Sequence, residues 1–196
     1  MSPITIDVIN DGQIDLCKDL CNELMAFQKS KATIAQNAFD SMNFDTRMKK
    51  NFENSERSHI AVAKDNGLSI GYVFSTIDTV SETSGNAFPD WAPRSETSKG
   101  FYPDWLALPQ KIGCLNNLYI REPYQGIGLG KKLLTMSMNW LESFDDCTMT
   151  FVYISNGNDA AYQFYLKHGF LPSHDVFDGF IKAAYKPKEK NRFSDL

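Results

Sequence analysis

A glycine-rich turn is the feature that most restricts how this chain can fold. Residues 125–131 read Gln-Gly-Ile-Gly-Leu-Gly-Lys, between a β-prone segment at 111–120 and an amphipathic segment at 126–142. Glycine lets the backbone adopt positive φ and approach a ligand closely. The N-terminus of a helix offers unpaired N–H groups and the positive end of the helix dipole. The turn therefore predicts a strand–turn–helix unit suited to a phosphate group.

The spacing of these glycines argues against two common phosphate-binding motifs. A P-loop requires Gly-x-x-x-x-Gly-Lys-Ser/Thr, whereas Gln125 stands five residues before Gly130 and Lys132 follows Lys131. A dinucleotide fingerprint requires Gly-x-Gly-x-x-Gly near the first strand, whereas three or more predicted strands precede this turn. A helix start without a ligand is the remaining alternative. Three alternate glycines would then cost about 1 kcal/mol each relative to alanine, which a purely structural turn rarely carries.

The pattern of apolar residues predicts a mixed α/β fold. Alternation indicates strands, and apolar residues three or four apart indicate helices. Asp65-Asn66-Gly67 predicts a hairpin turn, because Asn-Gly readily adopts positive φ. The predicted strands are 4–9, 59–64, 68–77, 111–120, 148–154, 170–173 and 176–186, and the predicted helices are 13–28, 40–53, 126–142 and 159–168. The length of 196 residues predicts one domain over 1–186, followed by a charged tail over 187–196.

Residues 78–106 are predicted to form a long loop insertion, rich in Ser, Thr, Gly, Pro and aromatic residues. The loop contains Phe-Pro-Asp-Trp at 88–91 and Tyr-Pro-Asp-Trp at 102–105. Carboxylates beside aromatic faces suit a cation, so Asp90, Asp104 and Trp105 are candidate substrate-binding residues, and a diamine or polyamine is a candidate substrate. The alternative is that these aromatics anchor the loop to the body of the protein or to a second copy in a homodimer.

Composition argues against several classes of function. A net charge of −4, from 20 basic and 24 acidic residues, gives no electrostatic footprint for nucleic acid. We see no signal peptide and no apolar run long enough to span a membrane, and therefore expect a cytoplasmic protein without a membrane partner. Cys17 and Cys21 could share a helix face and bind a metal with a distant His. Reduced thiols that pack in the interior are the better interpretation, so no metal is predicted.

A second motif follows the next strand. It reads Asn158-x-x-Ala161-x-x-Phe164-Tyr165-x-Lys167-x-Gly169-Phe170. Together with Gln-x-x-Gly-x-Gly in the glycine turn, it resembles the GNAT superfamily of N-acetyltransferases, and the resemblance covers residues 112–171. The resemblance implies a mostly antiparallel central sheet whose parallel central strands splay apart, with helices on both faces. It also implies acetyl transfer from acetyl-coenzyme A to an amine.

The resemblance assigns candidate roles to individual residues. The pantetheine arm of the coenzyme would pair with the strand at Leu118, Tyr119 and Ile120. Asn158 would bond the arm or cap the helix, and Tyr165 would act as general acid or, in the alternative, pack as a core tyrosine. The turn that would hold the pyrophosphate consists of Gln125, Gly126, Ile127, Gly128, Leu129, Gly130 and Lys131.

One departure from the family pattern concerns the base. Many members carry a carboxylate two residues before the pantetheine contact, and here that position is Asn116. A primary amine of pKa about 10.4 pays roughly 4.6 kcal/mol to be neutral at pH 7. Water chains, the pair Asn116 and Asn117, or a residue of the long loop could offset that cost, and Asn116 is therefore a further candidate substrate-binding residue.

These patterns leave four functions to separate. The leading hypothesis is acetylation of a primary amine on a small molecule by direct attack in a ternary complex. The second is acetylation of a protein N-terminus or lysine, which needs an open groove that the long loop disfavours. The third is a non-catalytic coenzyme A-binding module, and the fourth, distant hypothesis is a nucleotide-binding protein.

Overall fold

A mixed sheet of seven strands forms the centre of the computed structural model, which describes residues 3–85, 88, 92 and 95–188. The strands are β1 Thr5–Val8, β2 Arg57–Asp65, β3 Leu68–Val80, β4 Gln110–Ile120, β5 Met149–Ser155, β6 Leu171–Val176 and β7 Ile181–Pro187. Their spatial order within the described residues is β1-β2-β3-β4-β5-β7-β6. Only β4 and β5 pair in parallel, and the other neighbours are antiparallel. The predicted mixed fold is confirmed.

Helices cover both faces of this sheet. The helices are α1 Lys18–Lys31, α2 Lys50–Asn54, α3 Glu82–Gly85, α4 Leu129–Glu142 and α5 Asp159–Lys167. A 3-10 segment at Asp11–Cys17 leads into α1, and a π-helical segment at Phe44–Lys49 leads into α2. A further 3-10 segment, Gln36–Ser41, lies between them. The helix predicted at 126–142 begins only at Leu129, because Gly128 has positive φ and cannot continue the helix.

Apolar side chains fill the space between helices and sheet on both faces. On one face, α4 and α5 contribute Leu133, Met138 and Tyr165 to a core with Val73 and Val152. On the other face, α1 contributes residues to two further cores, one over β2 and β3 and one that includes the β6–β7 turn. We call this second side the α1 face.

The central strands β4 and β5 separate along their length. They pair only where Ile112–Leu115 lies beside Met149–Val152. Beyond that point β4 continues to Ile120 and β5 to Ser155 without pairing to each other. A bulge accompanies the separation, because Phe74 pairs with Asn117 and Ser75 with Leu115, which leaves Asn116 between them. The predicted splayed arrangement is therefore present, with a closed end at 112–115 and an open end at 116–120.

The long connection between β3 and β4 runs from residue 81 to residue 109, because both strands are longer than predicted. Its described part packs on β5 and β7 through aromatic rings. Phe101 lies 5.2 Å from Tyr153 between ring centroids, and Trp105 lies 5.1 Å from Tyr185. Phe101 and Tyr153 belong to the same core as α1, so this loop covers the α1 face of β5.

None of the helices among the described residues combines the length and apolar character needed to cross a lipid bilayer.

Candidate active site

The glycine turn after β4 exposes the N-terminus of α4. Gly126 and Gly128 have φ of 78° and 84°, and a Cβ added at either would meet no atom within 4 Å. Glycine is therefore required here by conformation and not by packing. Lys132 N–H donates to Gly128 O at 3.2 Å, so the N–H groups of residues 129–131 precede the helical hydrogen bonds. This end of α4 is suited to an anion.

Polar contacts hold the turn in place. The Gln125 side-chain amide donates to Ile120 O at 2.8 Å, which closes the end of β4. Arg121 forms a forked ion pair with Glu23 of α1, with a shortest distance of 2.7 Å, and donates to Ser69 O at 3.0 Å. The Gln125 side chain thus stabilises the backbone conformation between the end of β4 and the glycine turn. The Glu23–Arg121 pair was missed by sequence reasoning, because 98 residues separate the partners.

The open end of β4 offers backbone groups to a ligand at the centre of the sheet. Leu118, Tyr119 and Ile120 pair with β3 on one side, while the side toward β5 lies beyond the last β4–β5 pair. Buried peptide groups require partners. An extended molecule inserted between the strands would supply them, and the predicted pantetheine strand is the part of β4 that borders this opening.

The turn between β5 and α5 follows the part of β5 that is not paired with β4 and that borders the same opening. Asn158 Oδ1 accepts from Ala161 N at 3.4 Å, a long N-cap bond at the start of α5. The neighbouring Asn156 is buried, and its Oδ1 accepts from the N–H groups of Thr33 and Ile34 at 2.6 and 2.8 Å. Its Nδ2 donates to Ile34 O and Phe180 O. Sequence reasoning missed Asn156, which fixes the end of β5 against the segment after α1.

Tyr165 lies on α5 with only 6% of its surface exposed. Its ring packs against Phe164 and Phe170, with centroid distances of 5.3 and 5.5 Å. Burial raises the pKa of its hydroxyl above the ordinary value, and the nearby Cys114 thiol adds to that rise. None of the hydrogen bonds found among the described residues involves this hydroxyl. The group therefore stays protonated and can donate to a ligand.

Asn116 is held by its own hydrogen bonds at the bulge of β4. Its Oδ1 accepts from Asn51 Nδ2 at 2.8 Å, and its Nδ2 donates to Thr76 Oγ1 at 3.0 Å and to Cys114 O at 3.3 Å. These bonds fix the orientation of the amide. A neutral amide cannot take the proton that a carboxylate at this position would take. The arrangement ties α2 to β3 and β4 at the start of the opening.

A cysteine nucleophile is not available beside this opening. Burial raises the pKa of the Cys114 thiol to about 12, so it stays protonated at neutral pH, and the thiolate is the nucleophilic form. Cys17, at the start of α1, is buried in the core over β2 and β3, and its pKa is likewise raised to about 12. Among the described residues no three His, Cys, Asp or Glu side chains form a group that could hold a metal ion.

In the described part of the long loop, the carboxylate of Asp104 is paired with a lysine of the same loop. Asp104 is exposed and forms an ion pair with Lys99 at 2.7 Å. Trp105 is 55% exposed and packs on Tyr185, whose strand partner Phe151 belongs to the closed end of β5. These contacts favour the anchoring interpretation, and substrate binding by the two residues stays a prediction. Asp90 lies outside the described residues.

Comparisons with known proteins are consistent with this geometry. The sequence model described as the Acetyltransferase (GNAT) family matches residues 24–170. No curated protein matches the chain.

Solved structures share the fold at low sequence identity. The PaiA N-acetyltransferase of Thermoplasma acidophilum, in complex with coenzyme A, has a TM-score of 0.60 and 13% identity over 95% of this chain and 99% of its own. Arabidopsis thaliana NAA60 with acetyl-CoA has a TM-score of 0.58 and 17% identity over 94% and 98%. The ribosomal-protein-S18-alanine N-acetyltransferase of Escherichia coli has a TM-score of 0.55 and 15% identity over 99% of both chains. With the match of the family model, these findings place the chain in the GNAT family of acetyltransferases.

Proposed function

We propose that this protein transfers the acetyl group of acetyl-coenzyme A directly to the primary amine of a small molecule. The observation that carries the proposal is that the open edge of β4 leads straight into the glycine turn. Residues 116–120 border the opening between β4 and β5, and the exposed N-terminus of α4 follows at Leu129. An extended arm ending in a diphosphate fits these two features in that order.

The solved relatives support this choice of acyl donor. PaiA was crystallised with coenzyme A and NAA60 with acetyl-CoA. In this chain the pantetheine arm would bond the backbone at Leu118 and Ile120 and the side chain of Asn158. The diphosphate would accept from the N–H groups of residues 126–131. Gln125 would act through the shape of the turn, because its side chain already bonds Ile120 O.

Tyr165 would hydrogen-bond the leaving sulfur and pass it a proton. A free thiol has a pKa of about 8.5 and a free tyrosine about 10, and burial raises the pKa of Tyr165 further. The hydroxyl is thus fully protonated at neutral pH. The attacking nitrogen loses one proton as the amide forms, and return of that proton to the Tyr165 phenolate balances the step and restores the acid. Because the Cys114 thiol is protonated, the proposal has no acyl-enzyme step.

The long loop favours a small acceptor over a protein. Among the solved relatives, NAA60 was crystallised with a bisubstrate analogue and the NatC complex with a Gag peptide. Here Lys99 O accepts from Phe177 N at 3.0 Å and Phe101 O accepts from the Tyr153 hydroxyl at 2.9 Å. The loop is thereby fastened to β5 and to the β6–β7 turn on the α1 face. A polypeptide would have to displace it, whereas a small amine need not.

The first experiment measures coenzyme A thiol release from acetyl-CoA with polyamines, aminoglycosides, amino acids and short peptides. We expect turnover with one class of small amine. Tyr165→Phe should lower kcat by about 10² or more, because a positioned general acid contributes about that much. Tyr162→Phe is the matched control on the same helix, since Tyr162 is half-buried with its ring beside Lys182, and it should keep wild-type turnover.

Other outcomes would change the assignment in different ways. Turnover confined to peptides would replace the small acceptor with a protein N-terminus. Full activity of Tyr165→Phe would show that Tyr165 is not the general acid, while the protein would still be an acetyltransferase. Acetyl-CoA binding without turnover of any amine would indicate a coenzyme A-binding module.

A further inference from the structure

Ser155, the last residue of β5, carries a buried hydroxyl without a partner. The residue is 6% exposed, and its Oγ makes no hydrogen bond to the described part of the chain. The two other polar side chains of this turn are engaged, Asn156 by the segment after α1 and by Phe180 O, and Asn158 by the start of α5. Buried polar groups nearly always have a partner. The exception at Ser155 calls for a ligand to supply one.

The direction of the Ser155 side chain follows from the pleat of β5. Successive side chains of a strand alternate between faces, so Ser155 shares a face with Phe151 and Tyr153. Tyr153 packs with Phe101 and the core of α1, whereas Val152 and Ile154 belong to the core of α4 and α5. Ser155 thus lies on the α1 face, opposite Tyr165, which belongs to the core of α4 and α5. Because Tyr165 is the proposed proton donor to the leaving sulfur, the attacking amine would approach from the α1 side.

The level of Ser155 along the opening follows from the strand register. Leu115 pairs with Val152 in parallel at the last β4–β5 pair. The bulge at Asn116 adds one residue to β4 within this stretch, so Ser155, three residues past Val152, is level with Tyr119, the neighbour of Leu118, across the gap between the strands. Under the proposed function the diphosphate lies at the turn after Ile120 and the pantetheine arm runs back along β4, so the thioester would lie near the Leu118 end of this stretch. The unpartnered hydroxyl is therefore within one residue of that level.

We propose that the Ser155 hydroxyl binds the acceptor by accepting a hydrogen bond from the N–H of the attacking amine. This inference rests on the proposed function and adds an acceptor-binding residue to it. The bond would orient the nitrogen lone pair toward the acyl carbonyl, and no proton is transferred to serine. A neutral hydroxyl also does not raise the pKa of the amine, as a carboxylate would. A neutral acceptor of this kind is consistent with a site that has Asn116, and not a carboxylate, at the bulge of β4.

The test compares Ser155→Ala with Ser137→Ala, using the panel amine of highest turnover. Ser137 is the matched control because it is equally buried but bonded, with its Oγ 2.5 Å from Ser75 Oγ. Ser155→Ala should raise the KM for the amine about tenfold, or about 1.4 kcal/mol, with the Kd of acetyl-CoA unchanged. Its Tm without ligands should equal or exceed that of the wild type, since no bond is lost. Ser137→Ala should lower Tm and leave the KM unchanged.

Three results would overturn the inference. A lower Tm of Ser155→Ala with an unchanged KM would make the hydroxyl structural. Weaker binding of acetyl-CoA with an unchanged KM for the amine would assign the hydroxyl to an amide of the coenzyme. A wild-type protein that binds acetyl-CoA but acetylates no amine would end the proposed function and this inference together. That last failure is visible before any variant is made.

Discussion

The closed and open ends of the β4–β5 pair use glycine for opposite reasons. At the closed end, a Cβ on Gly113 would lie 2.8 Å from Leu141 Cδ2 and 3.0 Å from Thr150 Oγ1. At the open end, Gly126 and Gly128 have positive φ, and a Cβ on either would meet nothing within 4 Å. The first glycine lets a strand pack closely under α4, and the other two give an exposed turn the positive φ angles that it needs.

The two ends also differ in how far their polar side chains are paired with other groups of the protein. At the closed end, Lys111 bridges Glu56 and Asp146 at 3.2 Å each, and Arg57 binds both oxygens of Asp146. At the open end, the Ser155 hydroxyl is buried without a partner among the described residues. The ion pairs at the closed end are complete without a ligand, whereas under the inference above the acceptor completes the Ser155 hydroxyl. We therefore assign the closed end to stabilising the sheet and the open end to binding the coenzyme and the acceptor.

The largest expected effect comes from Gly157, which links the open end to α1. A Cβ there would lie 2.0 Å from Lys31 O, a backbone atom, and φ is 78°. Gly157→Ala should therefore cost more than about 3 kcal/mol, from strain and from forced movement of the backbone. Gly126→Ala is the control, because its φ is also 78° and no atom lies within 4 Å. It should cost only about 1 to 2 kcal/mol.

Urea denaturation of the two variants measures this difference. Equal losses of stability would show that strain alone matters and that the contact between Gly157 and α1 is not rigid.

A smaller and more selective effect is expected at Gly128. Gly128→Ala should weaken acetyl-CoA binding about tenfold, about 1.4 kcal/mol, because a methyl group would enter the space proposed for the diphosphate. Gly67→Ala carries matched strain, with φ of 82° against 84°, and lies in the β2–β3 turn. Both variants should lose similar stability, and only Gly128→Ala should lose affinity in calorimetric titration. Equal acetyl-CoA affinities of Gly128→Ala and Gly67→Ala would show that the diphosphate does not bind at the N-terminus of α4.

How much the sequence could predict differs between the same two regions. The glycine turn and α5 were predicted within a few residues, because their signals are local: periodicity, glycine spacing and an N-cap. The helix predicted at 13–28 instead starts as the 3-10 segment Asp11–Cys17, a distinction that periodicity does not report. Asn156 and Ser155 could not be predicted. Two partners of Asn156, Thr33 and Ile34, lie more than 120 residues away, and the isolation of Ser155 depends on how the strands separate.

The smallest expected effect belongs to the ion pairs of the closed end. Arg57 and Lys111 hold the pKa of Asp146 at about 2, well below its ordinary value. A carboxyl whose pKa is lowered by folding adds stability above its unfolded pKa of about 3.9 and loses it as the pH falls through the folded pKa. Asp146→Asn should therefore be less stable than the wild type at pH 7, and the gap should close between about pH 4 and pH 2.

Thermal unfolding across this pH range, at low and high salt, tests that expectation. The pair is partly exposed, so the difference should be small and should shrink with salt. Acetyl-CoA affinity at pH 7 should not change, because Asp146 lies beside Lys111 at the start of β4, away from the opening. A loss of affinity in Asp146→Asn would mean that the closed end sets the width of the opening. The two ends would then act as one unit, and the assignment of stability to the closed end and of ligand binding to the open end would be wrong.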